Sequence, residues 1–346
     1  MAATANRVGL GVLCASLGEV RVAEAAGVPS SDLVLHGNNK SDDELRVSVG
    51  RLVVDSFAEI DRLDHLGIEA NVMLRVAPGL DAGAHEFIRT GGVDTKFGVG
   101  MGQAVDAARR LVANPRLRLT GLHSHVGSQL FGAEEYVELV RLMVPFLREV
   151  SEATGVELHE LDLGGGFAIA YTDHDPPVAC PASVAGEVLS HWPSDLALIL
   201  EPGRALVGRS GVTLHTIGTV KEVPGIRTYV AIDGGMSDNI RPPLYGARYS
   251  FFLAGRADAP AEQAVRIVGK HCESGDILAP EVLLPADPSP GQVLVTAATG
   301  AYTWAMASNY NQVPRPAVVF CRDGRAIEVV RRESTEDLLR LQVRSR

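Results

Sequence analysis

Seven short apolar runs, alternating with amphipathic stretches, constrain this chain more than any other feature. They lie at 8–14, 33–35, 52–54, 72–76, 117–123, 158–163 and 196–200. Most are apolar on both faces, which suits parallel strands covered by helices. The clearest helical pattern spans 134–153, where Val137, Val140, Met143, Val144, Leu147 and Val150 recur at three- and four-residue steps and Gly155 can end the helix. Repeated units of this kind imply an open doubly wound sheet or a (β/α)8 barrel. The polar tails favour the barrel, whose catalytic groups sit at the C-terminal ends of its strands. Those tails are His36-Gly37-Asn38-Asn39, His123-Ser124-His125, Asp162-Leu163-Gly164-Gly165-Gly166 and Glu201-Pro202-Gly203-Arg204. A closed barrel of this type needs eight strands, and a missing one leaves two unpaired edges. Because the first run begins at residue 8, the expectation is a (β/α)8-type barrel lacking its first N-terminal βα unit.

Beyond about residue 206 the texture changes. Runs at 212–220, 228–232, 263–268, 292–297, 317–321 and 326–331 are β-rich and separated by Pro, Gly and Asp, and helical periodicity returns only at 335–341. This reads as a second, mostly antiparallel β domain, so the expected division is 1–206 for the barrel and 207–346 for the β domain. The 346 residues suffice for two full cores. A net charge of −10 argues against nucleic acid as a partner. No apolar run is long enough for a transmembrane helix, and the first residues do not form a secretory signal. Cys14, Cys180, Cys272 and Cys321 are widely spaced with no CxxC pair, which fits reduced thiols and a cytoplasmic protein. Lysine is scarce: Lys40, Lys96, Lys221 and Lys270 stand against 28 arginines.

Several stretches carry chemistry, each with a plainer reading beside it. Gly164-Gly165-Gly166 can expose backbone N–H groups to a phosphate, especially above a helix N-terminus, or can be a tight turn. Ser128 can add a hydroxyl to the same phosphate. His125 can stack on a planar ring or be a hydrogen-bonded core imidazole. His123 and His125 also suggest a metal pair, but no further clustered set completes one, so no metal is expected. Glu201 can pair with Arg204 or face a ring nitrogen and keep it protonated. Arg241 and Tyr245, four apart, can bind a carboxylate through the arginine fork or form a surface salt bridge. Tyr302 adds a hydroxyl beside Gly300, or simply packs. In Gly269-Lys270-His271-Cys272-Glu273-Ser274-Gly275-Asp276, Cys272 can exchange a proton and Glu273 can hold an ammonium; the alternative is a charged surface turn. Together these groups describe a phosphate cradle, a stacking imidazole and a ring-nitrogen carboxylate, which pyridoxal phosphate needs.

The order of these motifs resembles the diaminopimelate decarboxylase family, of the alanine-racemase-like barrel class of pyridoxal-phosphate enzymes. The carrying motifs are His36-Gly37-Asn38-Asn39-Lys40, Lys96-Phe97-Gly98, 123–129, 162–167, 201–204, 233–245, 269–276 and 299–302. The resemblance implies a lyase of lysine biosynthesis that decarboxylates meso-2,6-diaminopimelate to L-lysine with bound pyridoxal 5'-phosphate. It implies that His125 stacks on the pyridine ring, that Ser128, Gly164, Gly165, Gly166 and Tyr302 hold the phosphate, and that Glu201 keeps the ring nitrogen protonated. It further implies that Arg204, Arg241 and Tyr245 hold the distal carboxylate and Glu273 the distal ammonium. Cys272, reaching in from the partner subunit of a homodimer, protonates the carbanion. A distal zwitterion demands both a cation and an anion from the protein, which favours diaminopimelate over ornithine.

The chain also departs from the family. The family's first barrel strand carries a Tyr-Ala-x-Lys-Ala type motif whose lysine forms a Schiff base, and no such motif occurs here; Thr4 stands at the lysine's place in a faint echo too close to the next strand. A covalent Schiff base is therefore not expected in this chain. Leu13 and Leu17 stand where the family has Asp and Gly, and Leu17 is expected to strain a turn built for glycine. Two readings follow: a decarboxylase whose natural product extends further upstream, and a non-catalytic homologue that binds ligand or partners. A racemase on the same fold is the weaker third, since it needs no Arg and Glu for a distal zwitterion.

Overall fold

The structure, a computed structural model, describes residues 1–79 and 95–343. It divides into two units, Met1–Ala168 with Val178–Pro202 and Ile169–Pro177 with Gly203–Arg346.

The first unit winds strand after helix. Its elements are α1 (Ala2–Arg7), β1 (Val12–Cys14), α2 (Leu17–Ala25), β2 (Leu33–Leu35), α3 (Asp42–Leu45), β3 (Arg51–Val54), α4 (Phe57–Leu66), β4 (Ala70–Ala77), β5 (Val99–Gly100), α5 (Met101–Ala113), β6 (Leu117–His123), α6 (Glu134–Thr154), β7 (Glu160–Asp162), α7 (Pro181–Ser190) and β8 (Ala197–Ile199). All strand pairs are parallel, in the order β1-β2-β3-β4-β6-β7-β8, with β5 added to β4. This is the barrel winding, left open: among the described residues β1 pairs only with β2 and β8 only with β7. Burial follows the pairing. Leu52, Val53, Val54, Val72, Met73 and Leu74 of the inner strands are buried, whereas Leu13 of β1 is 41% exposed and β8 has no buried residue.

Local chemistry fixes the helix ends. Ser16, Ser41 and Ser56 cap α2, α3 and α4 by accepting from the amides of Glu19, Glu44 and Glu59, and Ser41 with Glu44 completes a capping box. Gly67 and Gly155 end α4 and α6 in the left-handed conformation that a Cβ disfavours. The long α6 runs through Pro145 and buries Tyr136, Leu139, Val140, Met143, Leu147 and Val150. Each such side chain contributes roughly 1.5–3 kcal/mol by burial, enough to hold the helix against the backbone bond the proline removes. The strain expected at Leu17 is absent. Leu17 opens α2 directly after its cap, is not among the left-handed residues, and its amide donates to Glu44 Oε1 at 2.9 Å.

The second unit holds β9 (Thr213–Val223), β10 (Arg227–Ile232), β11 (Phe251–Leu253), β12 (Gln263–Val268), β13 (Ile277–Leu284), β14 (Val293–Thr296), β15 (Val318–Arg322) and β16 (Arg325–Val330), with α8 (Gly203–Val207), α9 (Arg241–Tyr245) and α10 (Thr335–Leu339). One sheet has the order β11-β14-β9-β10-β12-β13; β10 and β12 are parallel and its other pairs antiparallel. β15 and β16 form a hairpin turned by Asp323 and Gly324, both at positive φ, as a two-residue turn of matching twist requires. The core gathers Ile217, Val230, Val265, Ile267, Leu284 and Leu294. Sequence reading passed over β11 and β13. β11 is three residues long, and β13 carries Pro280 and Glu281 in its middle, which hides its alternation.

Candidate active site

The parallel register brings the strand ends of the first unit into one layer. His123 ends β6 opposite Asp162, the last residue of β7, and Asp162 lies opposite Ile199 of β8. His36 follows β2, and Glu201 comes two residues after β8. Donor atoms of His36, His123, Asp162 and Glu201 all lie within 4.8 Å of one another. His36 Nε2 is 2.9 Å from Glu201 Oε1, and His123 Nε2 is 3.8 Å from Glu201 Oε2. The two imidazoles meet edge to face, their centroids 4.7 Å apart. This quartet corrects the reading of His123-Ser124-His125. His123 does join a clustered donor set, assembled from four different strand ends that sequence spacing alone does not reveal.

Burial and neighbours split the two carboxyls. Asp162 is pushed up to about 7, first by burial and then by the negative charge of Glu201. Glu201 is held well below the usual carboxylate range: burial opposes this, but the close His123 and His36 rings outweigh it. Below about pH 7 Asp162 therefore keeps its proton in the range where Glu201 is already charged. His125 is pushed down to about 3, chiefly by burial and next by His123, so its ring is neutral.

The glycine triplet is demanded by its surroundings. Gly164 and Gly166 have φ of +71° and +106°. A Cβ would meet His125 Nδ1 at 2.7 Å from Gly164, the Glu201 carbonyl at 2.5 Å from Gly165 and the Gly127 carbonyl at 2.4 Å from Gly166. The Gly164 amide donates to Asp162 Oδ1 at 2.8 Å, and the Tyr136 hydroxyl donates to the Gly165 carbonyl at 2.9 Å. No helix follows the triplet directly; α7 begins only at Pro181. Ser128 and His125 lie on the adjoining segment after β6, both partly exposed.

In the second unit Arg204, Arg241 and Tyr302 come together around Tyr171. The Arg204 guanidinium donates to the Tyr171 hydroxyl at 2.7 Å and lies 4.8 Å from the Tyr302 ring. That of Arg241 lies 4.8 Å from the Tyr171 ring and donates to the Tyr249 hydroxyl at 2.5 Å. Tyr171 and Tyr249 were not singled out from the sequence; only their place beside two stacked arginines marks them. Tyr245 closes α9 and is partly buried. Tyr302 is 50% exposed at φ +57°.

The 269–276 loop is built around buried Asp276. Its carboxylate accepts from the amides of Met236 at 2.7 Å and His271 at 3.0 Å, and its own amide donates to the Glu273 carbonyl at 3.1 Å. His271 is buried, with Nε2 2.8 Å from Ser237 Oγ and Nδ1 3.2 Å from Asn311 Oδ1. Cys272 and Glu273 project outward and are exposed. The loop therefore has a hydrogen-bonded base and an exposed tip that carries the thiol and the carboxylate.

The four lysines have separate places. Lys40 is buried and donates to the carbonyls of Gly37 and Val53 and to Glu59 Oε1, at 2.6–2.7 Å. Lys96 lies 4.9 Å from the Phe97 ring centre. Lys221, on β9, and Lys270 are exposed.

Residues 1–208 match the family model of the pyridoxal-dependent decarboxylases, in its pyridoxal binding domain. Among similar curated proteins, the diaminopimelate decarboxylase of Mycobacterium tuberculosis is 45% identical over 353 residues, covering 94% of this chain and 79% of that protein. The diaminopimelate decarboxylase of Bacillus subtilis is 42% identical over 356 residues, covering 98% of this chain and 81% of the relative. Among solved structures, diaminopimelate decarboxylase from Helicobacter pylori complexed with L-lysine superposes with a TM-score of 0.90 at 30% identity, covering 98% of this chain and 86% of that one.

Proposed function

The chain belongs to the diaminopimelate decarboxylases, within the pyridoxal-dependent decarboxylase family, and from that we infer that its chemistry is the release of CO2 from meso-2,6-diaminopimelate to leave L-lysine. The observation that carries this reading is the Glu201 carboxylate, kept charged among buried groups of one strand-end layer. Such a carboxylate matches a cationic pyridine nitrogen, and the side-chain-free turn at Gly164, Gly165 and Gly166 matches a phosphate, so these residues fit pyridoxal 5'-phosphate. When bound, the cofactor supplies a sink for the electrons of the breaking carbon–carbon bond.

The chain's own residues bind and move protons. His125, neutral and planar, stacks on the ring. Ser128, Gly164, Gly165, Gly166 and Tyr302 hold the phosphate. The first unit carries His125, Ser128, the glycine triplet and Glu201, and the second carries Arg204, Arg241, Tyr245 and Glu273. Arg204, Arg241 and Tyr245 take the substrate's distal carboxylate, where a guanidinium can make paired, charge-assisted hydrogen bonds. Glu273 takes the distal ammonium. Cys272 delivers the proton to the carbon that loses CO2, and its exposed position suits service to a partner subunit in a homodimer. The place of action we propose is the cytoplasm; the four thiols are free, and no helix among the described residues is long and apolar enough to cross a membrane.

A second reading is a non-catalytic homologue that binds ligand without turnover. Lys40 Nζ is already engaged by three acceptors, one of them a carboxylate. One experiment separates the two. The purified 346-residue chain is mixed with pyridoxal phosphate, its absorbance is read before and after borohydride, and CO2 release from meso-diaminopimelate is assayed. A reducible band with CO2 supports the decarboxylase, and peptide mapping then identifies the lysine. Binding without reduction and without CO2 leaves both the non-catalytic homologue and a decarboxylase whose natural product extends further upstream, and repeating the assay with the upstream segment restored decides between them.

A further inference from the structure

His36 and His123 have no part in the assignments above, yet both are buried, at 7% and 1% exposure. Among the described residues, neither His36 Nε2 nor either ring nitrogen of His123 makes a well-aligned hydrogen bond, although both Nε2 atoms face Glu201. A buried polar nitrogen without a partner costs roughly 1–3 kcal/mol, so such an arrangement persists where the group serves something else. The two rings flank one carboxylate, His36 at Oε1 of Glu201 and His123 at Oε2, while edge-to-face contact locks their planes against each other. Asp162 stands beside them with one oxygen already committed to the Gly164 amide.

We propose that His36 and His123 are positioning residues for Glu201. Approaching its two oxygens from different sides, they fix the direction in which the carboxylate presents its charge to the cofactor's ring nitrogen. The proposal rests on the pyridoxal-phosphate reading of this site. It makes the first residue of His36-Gly37-Asn38-Asn39 and the end of β6 parts of one device, though neither needs to touch the cofactor. Close approach to the two carboxylate oxygens and the edge-to-face ring contact restrain both imidazoles, and the restrained rings in turn limit how Glu201 can turn.

The test compares two probes on the purified chain, with dissociation constants from equilibrium dialysis. One probe is pyridoxal phosphate; the other is its carbocyclic analogue, with C–H in place of the ring nitrogen. The unsubstituted protein is expected to prefer pyridoxal phosphate, and Glu201→Gln to lose that preference. His36→Phe and His123→Phe are expected to cut the preference roughly tenfold, the scale of one lost polar contact, with analogue binding unchanged. His36→Gln, which keeps an N–H donor, is expected to retain most of it and guards against misfolding of the Phe variants. If the His variants weaken both probes equally, or leave the preference intact while Glu201→Gln removes it, the positioning role is wrong and the cofactor reading stands. No preference in the unsubstituted protein overturns both.

Discussion

Asp162 shows how one buried residue links site and stability. Its folded-state carboxyl is pushed up to about 7 by burial and by Glu201, while in an unfolded chain it titrates near 3.8. Below the unfolded value both states hold the proton and the folded state loses nothing. As pH rises from about 4 towards 7, the unfolded chain gives up its proton and the folded chain cannot, so this residue's contribution to stability is lost across that window. Asp162→Asn removes the titration while keeping an oxygen for the Gly164 amide. We expect its melting temperature to fall less between pH 4 and 7 than that of the unsubstituted chain, by scanning calorimetry. Parallel profiles would show that Asp162 is already charged. The sequence marked the residue as the head of a polar strand-end tail; its proton depends on Glu201, 39 positions away in the chain (201 − 162).

Among elements, the loop before β13 is the sharpest case. Its glycines suggested turn conformations, but Gly269 and Gly275 are not among the left-handed glycines. Gly269 is required by contact instead: a Cβ there would lie 2.1 Å from Asp276 Oδ2. At Gly275 the nearest atom is the flexible Glu273 Oε1, at 3.6 Å. Gly269→Ala is therefore expected to push Asp276 off the amides of Met236 and His271 and to loosen the loop by about 1–3 kcal/mol, whereas Gly275→Ala is nearly neutral. Hydrogen exchange at those two amides measures this; equal protection in both variants would falsify the clamp. Sequence reading found this loop because it gathers thiol, carboxylate and imidazole in consecutive positions. It did not find that the imidazole points inward, because that depends on Ser237 and Asn311 from other segments. Leu17 teaches the converse: the expected strain vanished because Ser16 starts a helix there.

At the scale of the molecule, the open ends of the parallel sheet matter most. Among the described residues β1 and β8 each pair on one side, and an unpaired edge with an exposed apolar side chain invites association with other chains. Leu13→Asp places a charge on the β1 edge at a side chain 41% exposed. It is expected to change unfolding free energy by no more than about 0.5 kcal/mol and to lower light scattering that grows with concentration. The same light-scattering runs test the homodimer we propose: a species of twice the chain mass must survive Leu13→Asp if its interface lies elsewhere. A monomer at all concentrations would remove the partner's Cys272 from the mechanism.

The sequence by itself determined the alternation of strand and helix, the seven strands of the main winding, the helix over 134–153 and the β-rich second half. Periodicity, capping residues and turn glycines act within a few positions of the chain, so their consequences can be read along it. It also placed His125, the glycine triplet and Glu201 at strand ends. Only the tertiary structure decided that His36, His123, Asp162 and Glu201 share one layer, and that Arg204 and Arg241 stack around Tyr171. Parallel register sets the first grouping and packing within the second unit sets the other. Proton positions follow from those groupings, because burial and neighbouring charge act across space and leave no mark on sequence spacing.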